Sequence, residues 1–184
     1  MDIIVYTCMS GGYDDISNYL NIAPCDKFVT HRMKAKLPKI LPHKVLPEHD
    51  YSIWVDSNVT LQKSAIELLE YFEYPDVGVF RHPVRKTIND EIEICGKWKL
   101  DDEKNLFYHK DKEGKLAWCG IIIRKNIPSV HLACEQWWAE ICAGSSRDQL
   151  SFPYTLGKLA TYKGFSGDES QFFISTNHKG RRNQ

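Results

Sequence analysis

The apolar positions of this chain follow two patterns: short compact runs, which are typical of buried strands, and longer segments with helical spacing. Compact runs of bulky, β-branched or aromatic residues bounded by turn residues predict strands over residues 3–8, 27–30, 51–55, 77–80 and 116–124. Helices are predicted from Ser64 to Pro75, over 84–98, from Pro128 to Gly144 and from Ser145 onward. Strands that alternate with helices predict an α/β fold, with a central, mostly parallel sheet flanked by helices. At 184 residues, the chain 1–184 is expected to form one domain.

The stretch Tyr51–Leu61 organises this pattern. Tyr51–Val55 has the composition of a strand buried on both faces, and Asp56, Ser57 and Asn58 follow at its end. In open α/β sheets, ligands bind beyond the carboxyl ends of the strands. The oxygens of Asp56 and Asn58, at i and i+2, could hold a hard cation there. The alternative is ordinary turn chemistry, in which Asp, Ser and Asn bend the chain.

The amino-acid composition argues against several functional classes, namely nucleic-acid binding, membrane-spanning and zinc-binding proteins. Hydrophobic residues make up 42% and charged residues 26%, and 24 basic residues balance 24 acidic ones. A neutral chain has no overall field for nucleic acid, and no apolar run is long enough to cross a bilayer. Residues 1–6 lack the features of a secretion signal. The six cysteines form no C-x-x-C pair, so we expect no zinc site and a reducing, cytoplasmic location.

Four separated motifs carry a family resemblance. They are Tyr51–Leu61, Phe80–Arg85, Trp137–Ile141 and Ser146–Phe152, and Val5–Thr7 and Lys39–Lys44 add to them. Together they resemble a GT-A-fold glycosyltransferase-like family of bacterial capsule loci and the plant Golgi, with similar domains in large algal viruses. The resemblance implies a single-domain GT-A (Rossmann-like) sandwich. It also implies transfer of a sugar from a nucleoside-diphosphate sugar, with a UDP-sugar favoured, to a glycan or glycoprotein hydroxyl. Residues 97–116 match no motif of the family.

The resemblance also implies a metal. Mn²⁺ or Mg²⁺ would be held by Asp56 and Asn58, with His178 completing the shell near the carboxyl end and Lys179 reaching toward phosphate. Asn58 replaces the usual second carboxylate, so we expect a weakly held ion. The alternative for the tail is a frayed polar terminus.

The donor contacts implied by the resemblance come from several segments. Tyr6 and Thr7 would contact the base and ribose, and Arg81 and His82 donor or acceptor groups, although a loop histidine held by Pro83 is the alternative. A basic segment over 31–44 would neutralise the diphosphate, unless it is a solvated face. The candidates for cofactor binding are Tyr6, Thr7, Arg32, Lys39, Asp56, Ser57, Asn58, Arg81, His82 and Lys179.

The reacting groups are expected in Arg147, Asp148 and Gln149, which in the family border the donor sugar. Asp148 could act as a base or as an electrostatic stabiliser. Glu91 is the candidate on the acceptor side, against a reading as helix surface charge. The spacing of the serines at 145 and 146 also predicts helix caps there.

Several structural expectations accompany these site residues. Trp137 and Trp138 are expected mainly in the core. Residues 101–114 read as a charged loop that could cover the cleft. Two functions compete with transfer: a catalytically silent nucleotide- or glycan-binding module of the same fold, and a sugar nucleotidyltransferase.

Overall fold

A computed structural model describes residues 1–9, 19–28, 30–164 and 171–176. Its strands are β1 (Ile3–Thr7), β2 (Leu20–Asn21), β3 (Tyr51–Val55), β4 (Val59–Leu61), β5 (Val77–Arg81), β6 (Ala117–Lys125), β7 (Ala160–Lys163) and β8 (Phe173–Ser175). Its α-helices are α1 (His31–Ile40), α2 (Ala65–Tyr71), α3 (Ile88–Lys97), α4 (Glu103–Phe107), α5 (Pro128–Ala143) and α6 (Asp148–Ser151). Short 3₁₀ turns cover Pro42–Lys44, Phe152–Tyr154 and Leu156–Leu159.

Within these residues the main sheet has six strands in the order β2-β1-β3-β6-β5-β7. Strand β6 runs antiparallel to both of its neighbours, whereas the other pairs are parallel. The predicted α/β class with a mostly parallel sheet flanked by helices is confirmed. Strand β1 lies second from the edge of this sheet, and β3 and β6 occupy its middle.

Two apolar layers cover the two faces of this sheet. Tyr6, Trp54 and Ile122 face α1 and α5, while Ile53 and Ile121 pack with α2 and β8 on the other face. Because successive side chains of a strand point to opposite faces, a strand with apolar residues on both faces fits a sheet covered on both sides. Strand β3 is buried at every position, as its sequence predicts.

The prediction of a strand over residues 27–30 is wrong. Lys27 and Phe28 lie in a turn, Val29 lies outside the described residues, and the hydroxyl of Thr30 accepts a hydrogen bond from the Met33 amide, 3.2 Å, as the N-cap of α1. A hydroxyl at this position satisfies a free amide of the first helical turn. Leu20–Asn21 takes the edge position beside β1 instead.

Helix α1 continues through Pro38. Proline has no N–H, so the carbonyl of Lys34 loses its partner within the helix. That carbonyl accepts a hydrogen bond from the Cys25 amide, 3.0 Å, and the Pro38 carbonyl accepts one from the Tyr6 hydroxyl, 3.1 Å. The basic segment is therefore a helix anchored to the sheet.

Other predicted helices agree with the structure in part. Ser64 and Glu67 form the predicted capping box of α2, and α5 runs from Pro128 to its cap at Gly144. Trp137 is fully buried, as predicted, and Trp138 is partly buried. The helix predicted over 84–98 is shorter and begins after Thr87. No helix of the described residues is both long and apolar enough to span a membrane.

The caps predicted at residues 145 and 146 are wrong. Helix α6 has only four residues, and its N-cap, Arg147, makes no side-chain cap. The hydroxyl of Ser145 and the amide of Ser146 instead donate to the carboxylate of Asp101, at 2.6 and 3.2 Å. The start of the charged segment 101–114, which also contains α4, is thereby tied down.

Candidate active site at the carboxyl end of strand β3

Three elements meet at the carboxyl end of β3. Asp56 follows the strand, Lys39 lies in the last turn of α1, and Asp148 begins α6. The buried guanidinium of Arg124, on β6, donates to the Lys39 carbonyl and to the Tyr6 hydroxyl, both at 2.6 Å. These two hydrogen bonds hold the end of α1 against the sheet, so the backbone of Lys39 has a defined position.

Four charged side chains form a continuous chain of contacts, which we name the lysine chain: Lys36, Asp148, Lys39 and Asp56. The ammonium of Lys39 lies 2.9 Å from Asp56 Oδ1 and 2.7 Å from Asp148 Oδ2, and Lys36 Nζ lies 2.7 Å from the same Asp148 oxygen. The side chains of Lys39 and Asp148 are 6% and 9% exposed, whereas that of Asp56 is 32% exposed. The chain is thus buried at Asp148 and open at Asp56.

Burial and neighbouring charges set the protonation of this chain. Burial alone would raise the pKa of Asp148, but Lys36 and Lys39 hold it well below its usual range. Burial also opposes the charge on Lys39, yet Asp148 and Asp56 together raise its pKa. Burial lowers the pKa of Lys36 to about 8, although Asp148 opposes this effect. Asp148 is therefore a stable anion between two cations and a poor acceptor of protons.

At this corner, one oxygen of the carboxylate predicted to hold a metal ion already has protein partners. Asp56 Oδ1 already accepts hydrogen bonds from Lys39 Nζ and from Trp54 Nε1, the latter at 2.7 Å. Asn58 is turned to β8, where its Nδ2 donates to the Thr176 carbonyl at 2.6 Å. The described ranges contain no group of three or more His, Cys, Asp or Glu side chains placed to hold a metal. A divalent cation at Asp56 would therefore have to compete with the ammonium of Lys39 for the same carboxylate.

His178 and Lys179, predicted as metal and phosphate ligands, lie outside the described residues. Ser57, the remaining member of the Asp-Ser-Asn triplet, lies in the turn between β3 and β4. The roles predicted for these three residues stay predictions.

A second group of charges lies beside the lysine chain. We name it the arginine cluster: Glu91, Arg85, Arg147 and His82. The carboxylate of Glu91 is fully buried and lies 2.6 Å from Arg85 Nε and 2.9 Å from Arg147 Nη2. The alternative reading of Glu91 as helix surface charge is wrong, because the apolar stripe of α3 is interrupted by this acid on its inward face.

His82 is held in one orientation within the arginine cluster. Its Nδ1 accepts hydrogen bonds from the amides of Val84 and Arg85, at 3.2 and 2.9 Å. Burial, followed by the charge of Arg85, lowers the pKa of His82 to about 4. At neutral pH His82 is therefore an uncharged ring.

Residues 147–149 join the two groups. Arg147 contacts Glu91, Asp148 contacts the lysines, and the Gln149 amide donates to Asp148 Oδ1 at 3.1 Å. The Gln149 side chain accepts from Arg147 Nη2 at 3.2 Å and donates to the Ala117 carbonyl at 3.3 Å. The tripeptide singled out in the sequence thus lies between two ionic groups.

Four predicted donor contacts lie outside both groups. Tyr6 and Thr7 are fully buried, and burial raises the pKa of Tyr6 to about 12. Arg32 donates to the Leu100 carbonyl and to the Ser146 hydroxyl, at 3.1 and 3.3 Å, and Arg81 is exposed at the end of β5. Their contacts with a nucleotide stay predictions.

Lys36, Trp54 and Arg85 belong to the site but were not among the predicted site residues. Lys36 and Lys39 are three residues apart in α1, which places both on one side of the helix. That spacing could have indicated that Lys36 lies beside Lys39, but several other basic residues in the segment have similar spacings. Trp54 was read only as part of a strand, although its indole nitrogen donates to Asp56.

Comparison with known proteins identifies the family. The model of the TOD1/MUCI70 glycosyltransferase-like domain matches residues 20–178. The chain belongs to this family. It is 28% identical over 148 residues to the protein named "Probable hexosyltransferase MUCI70" of Arabidopsis thaliana, a match that covers 70% of this chain and 26% of that protein. The chain thus spans about a quarter of the length of the curated relative that it matches.

One solved structure shows a more distant similarity. The crystal structure of A197 from STIV covers 100% of this chain and 99% of its own, with 11% identity and a TM-score of 0.43. This similarity is too distant to bear on the function.

Proposed function

We propose that this TOD1/MUCI70 domain transfers a hexosyl group from a nucleoside-diphosphate sugar, with a UDP-sugar favoured, to a hydroxyl of a glycan or glycoprotein. Membership of a glycosyltransferase-like family and similarity to a protein named a hexosyltransferase support the reaction class. The observation that carries the proposal is the contact of Asp56 and Asp148 with the single ammonium of Lys39, since the two acids come from motifs far apart in the sequence.

The site has the charges that such a reaction requires. In the transfer, the bond between the anomeric carbon and the diphosphate oxygen breaks, and its electron pair stays on the diphosphate. The acceptor oxygen forms the new bond to the same carbon, and its proton is released. Charge therefore builds on the diphosphate oxygen and, with opposite sign, on the sugar ring. Lys36, Lys39, Arg85 and Arg147 bring four cations beside three carboxylates, which leaves an excess of positive charge for an anionic donor.

Asp148 suits one of its two expected roles better. A general base must accept a proton, and the two lysines make Asp148 a weak proton acceptor. A fixed anion next to the reacting carbon would instead stabilise positive charge on the sugar ring. We therefore assign Asp148 to electrostatic stabilisation of the transition state.

Replacement of Asp148 by Asn tests this assignment. We expect UDP binding to persist and turnover to fall by about 10²- to 10³-fold, the size of effect seen when one electrostatic group is removed from a transition state. UDP release from a panel of UDP- and GDP-sugars would be measured with and without candidate acceptors. Asp102→Asn is the matched control, because Asp102 is exposed and makes no side-chain cap. Turnover close to that of the unchanged protein would remove Asp148 from the chemistry.

A silent binding module is the second candidate, and one observation favours it. Each carboxylate of the lysine chain is already paired with an ammonium group of the protein, in the absence of a donor. Slow hydrolysis of UDP-sugars in the absence of acceptor would distinguish the two functions. A module would bind UDP and release none from any donor.

A further inference from the structure

The ammonium of Lys39 lies between the two carboxylates of the site, those of Asp56 and Asp148. It contacts carboxylates from two different motifs, and the described residues contain no group of three or more His, Cys, Asp or Glu side chains placed to hold a metal ion. We propose that Lys39 is the resident cation of the site, so that a nucleoside diphosphate binds and departs without a divalent metal. The identity of the ligand rests on the proposed function, whereas the role of Lys39 rests on these contacts.

The surroundings of Lys39 suit a fixed positive charge. Its ammonium lies 5.3 Å from the centre of the Trp54 ring, within range of a cation–π interaction, and the same indole donates to Asp56. Two carboxylates and an aromatic face therefore surround one small cation. An ammonium is a compact point charge with three donors, so it can contact both acids and one further oxygen.

The two ends of the lysine chain differ in a way that permits exchange. The carboxylate of Asp148 is buried, and the ammonium groups of Lys39 and Lys36 both contact its Oδ2 atom. At Asp56 the carboxylate is 32% exposed, so it could turn to solvent without leaving a buried charge. A diphosphate oxygen could then replace Asp56 as the partner of Lys39, while Asp148 keeps its contacts with both lysines.

This exchange assigns a step in the transfer to Lys39. As the anomeric carbon–oxygen bond breaks, the electron pair moves onto the diphosphate oxygen, and Lys39 donates a hydrogen bond to the diphosphate without giving up its proton. The acceptor oxygen bonds to the carbon and its proton is released. The products are the glycoside, the nucleoside diphosphate and one proton, so no further reactant is required.

Calorimetry on the unchanged protein is the first test. UDP would be titrated into protein treated with EDTA and into protein with added Mn²⁺, and Mn²⁺ alone would be followed by electron paramagnetic resonance. We expect the affinity for UDP to agree within about twofold in both conditions, with no saturable binding of Mn²⁺ alone. UDP binding that requires Mn²⁺ would overturn the proposal and support the metal site predicted from Asp56, Asn58 and His178.

Replacement of Asp56 by Asn makes the two models predict opposite results. If Lys39 is the resident cation, loss of the competing carboxylate raises the affinity for UDP in EDTA, by up to about tenfold for one charge contact. If Asp56 holds a metal, the same change abolishes metal-dependent binding. The amide keeps an oxygen for the Trp54 hydrogen bond, so folding is expected to persist. A weaker affinity in EDTA would overturn the proposal.

Lys39→Met and Lys44→Met form the matched pair. Lys44 belongs to the same basic segment, but its ammonium pairs with the exposed Glu135. We expect Lys39→Met to weaken UDP binding about 10- to 100-fold and Lys44→Met to leave it unchanged. If Lys39→Met does not fold, Asp56→Asn and the titrations of the unchanged protein still decide.

The same measurements separate this inference from the proposed function. Metal-independent UDP binding that depends on Lys39, together with no release of UDP from any sugar donor, would support the inference and reject transfer. Transfer that requires Mn²⁺ would reject the inference and keep the function. An absence of UDP binding in every condition would reject both.

Discussion

The lysine chain and the arginine cluster lie side by side and solve the same electrostatic problem differently. In the arginine cluster, one fully buried carboxylate contacts two arginines, so every charge is fixed by a planar partner. In the lysine chain, two carboxylates share two point charges, and one end reaches solvent. This difference indicates that the arginine cluster has a structural role and the lysine chain a role in ligand binding. The arginine cluster holds α3 and α6 in place, whereas the lysine chain can exchange a protein partner for a ligand.

Removal of Glu91 should produce the largest effect and tests the structural role of the arginine cluster. Glu91→Leu would leave two partly buried guanidinium groups without their acid, which costs about 3–5 kcal/mol. Urea unfolding would measure the loss. Glu93→Gln is the control, because Glu93 lies on the exposed side of α3. A loss below about 1 kcal/mol, comparable with an exposed pair, would remove the distinction between the two groups.

The pH dependence of stability should differ between the two groups. The folded pKa of His82 is about 4, below the ordinary value of 6.5, and that of fully buried His109 is also about 4. The unfolded chain therefore binds more protons below pH 6.5. Stability should fall between about pH 6.5 and 4, by at most about 3 kcal/mol per histidine. His82→Gln should reduce this slope in urea titrations at several pH values.

Asp148 provides the contrast in the same titrations. Its folded pKa lies below its ordinary value, so the stability that it contributes is present above pH 3.8 and is lost only in stronger acid. Asp148→Asn should therefore leave the slope between pH 6.5 and 4 unchanged. An equal reduction of that slope by Asp148→Asn and His82→Gln would contradict the assignment.

Lys36→Met should have a somewhat smaller effect than the loss of Glu91. It removes one of two cations from Asp148, and a buried charged hydrogen bond contributes about 1.5–3 kcal/mol. Lys34→Met on the same helix is the control. The partner of Lys34, Asp26, is exposed, so a loss below about 1 kcal/mol is expected there. Chemical denaturation would measure the free energy of unfolding of both variants. Equal losses of stability would show that burial does not distinguish the two lysines.

Asp56→Asn should have the smallest effect on stability. The half-open carboxylate is lost, yet Lys39 keeps Asp148 and Trp54 keeps an acceptor oxygen. We expect a change below about 1 kcal/mol in thermal or urea unfolding. A loss comparable to that of Glu91→Leu would mean that the open end of the lysine chain is structural, and partner exchange would then be too costly.

The sequence predicted the elements that carry strong local patterns. The mostly apolar composition of Tyr51–Val55 was sufficient to place β3, and the residues after it identified Asp56. Ser64 and Glu67 marked the start of α2, because both partners of that cap are local. Ser145 and Ser146 have the same spacing to their expected partners, but Asp101 binds them from 44 and 45 residues away. Spacing alone does not reveal such a competitor.

The site was predictable in its members but not in its pairing. Asp56, Asp148 and Lys39 were each selected, whereas the sequence could not show that one lysine contacts both acids. Glu91 was selected, but its burial depends on how α3 lies against α6. Lys36 escaped notice because seven basic residues share its segment, and only the orientation of the helix separates the inward lysines from the others.

The clamp formed by Arg124 sets the scale of any movement in the lysine chain. Since the carbonyl of Lys39 is bound to the middle of the sheet, the helix cannot swing toward a ligand or away from it. The exchange then requires only rotation of the Asp56 side chain, which is partly exposed, and rotamer changes of exposed side chains occur on the picosecond-to-nanosecond scale. Recognition of the anion would then require no slow rearrangement of the backbone, and the encounter with the donor would set its pace.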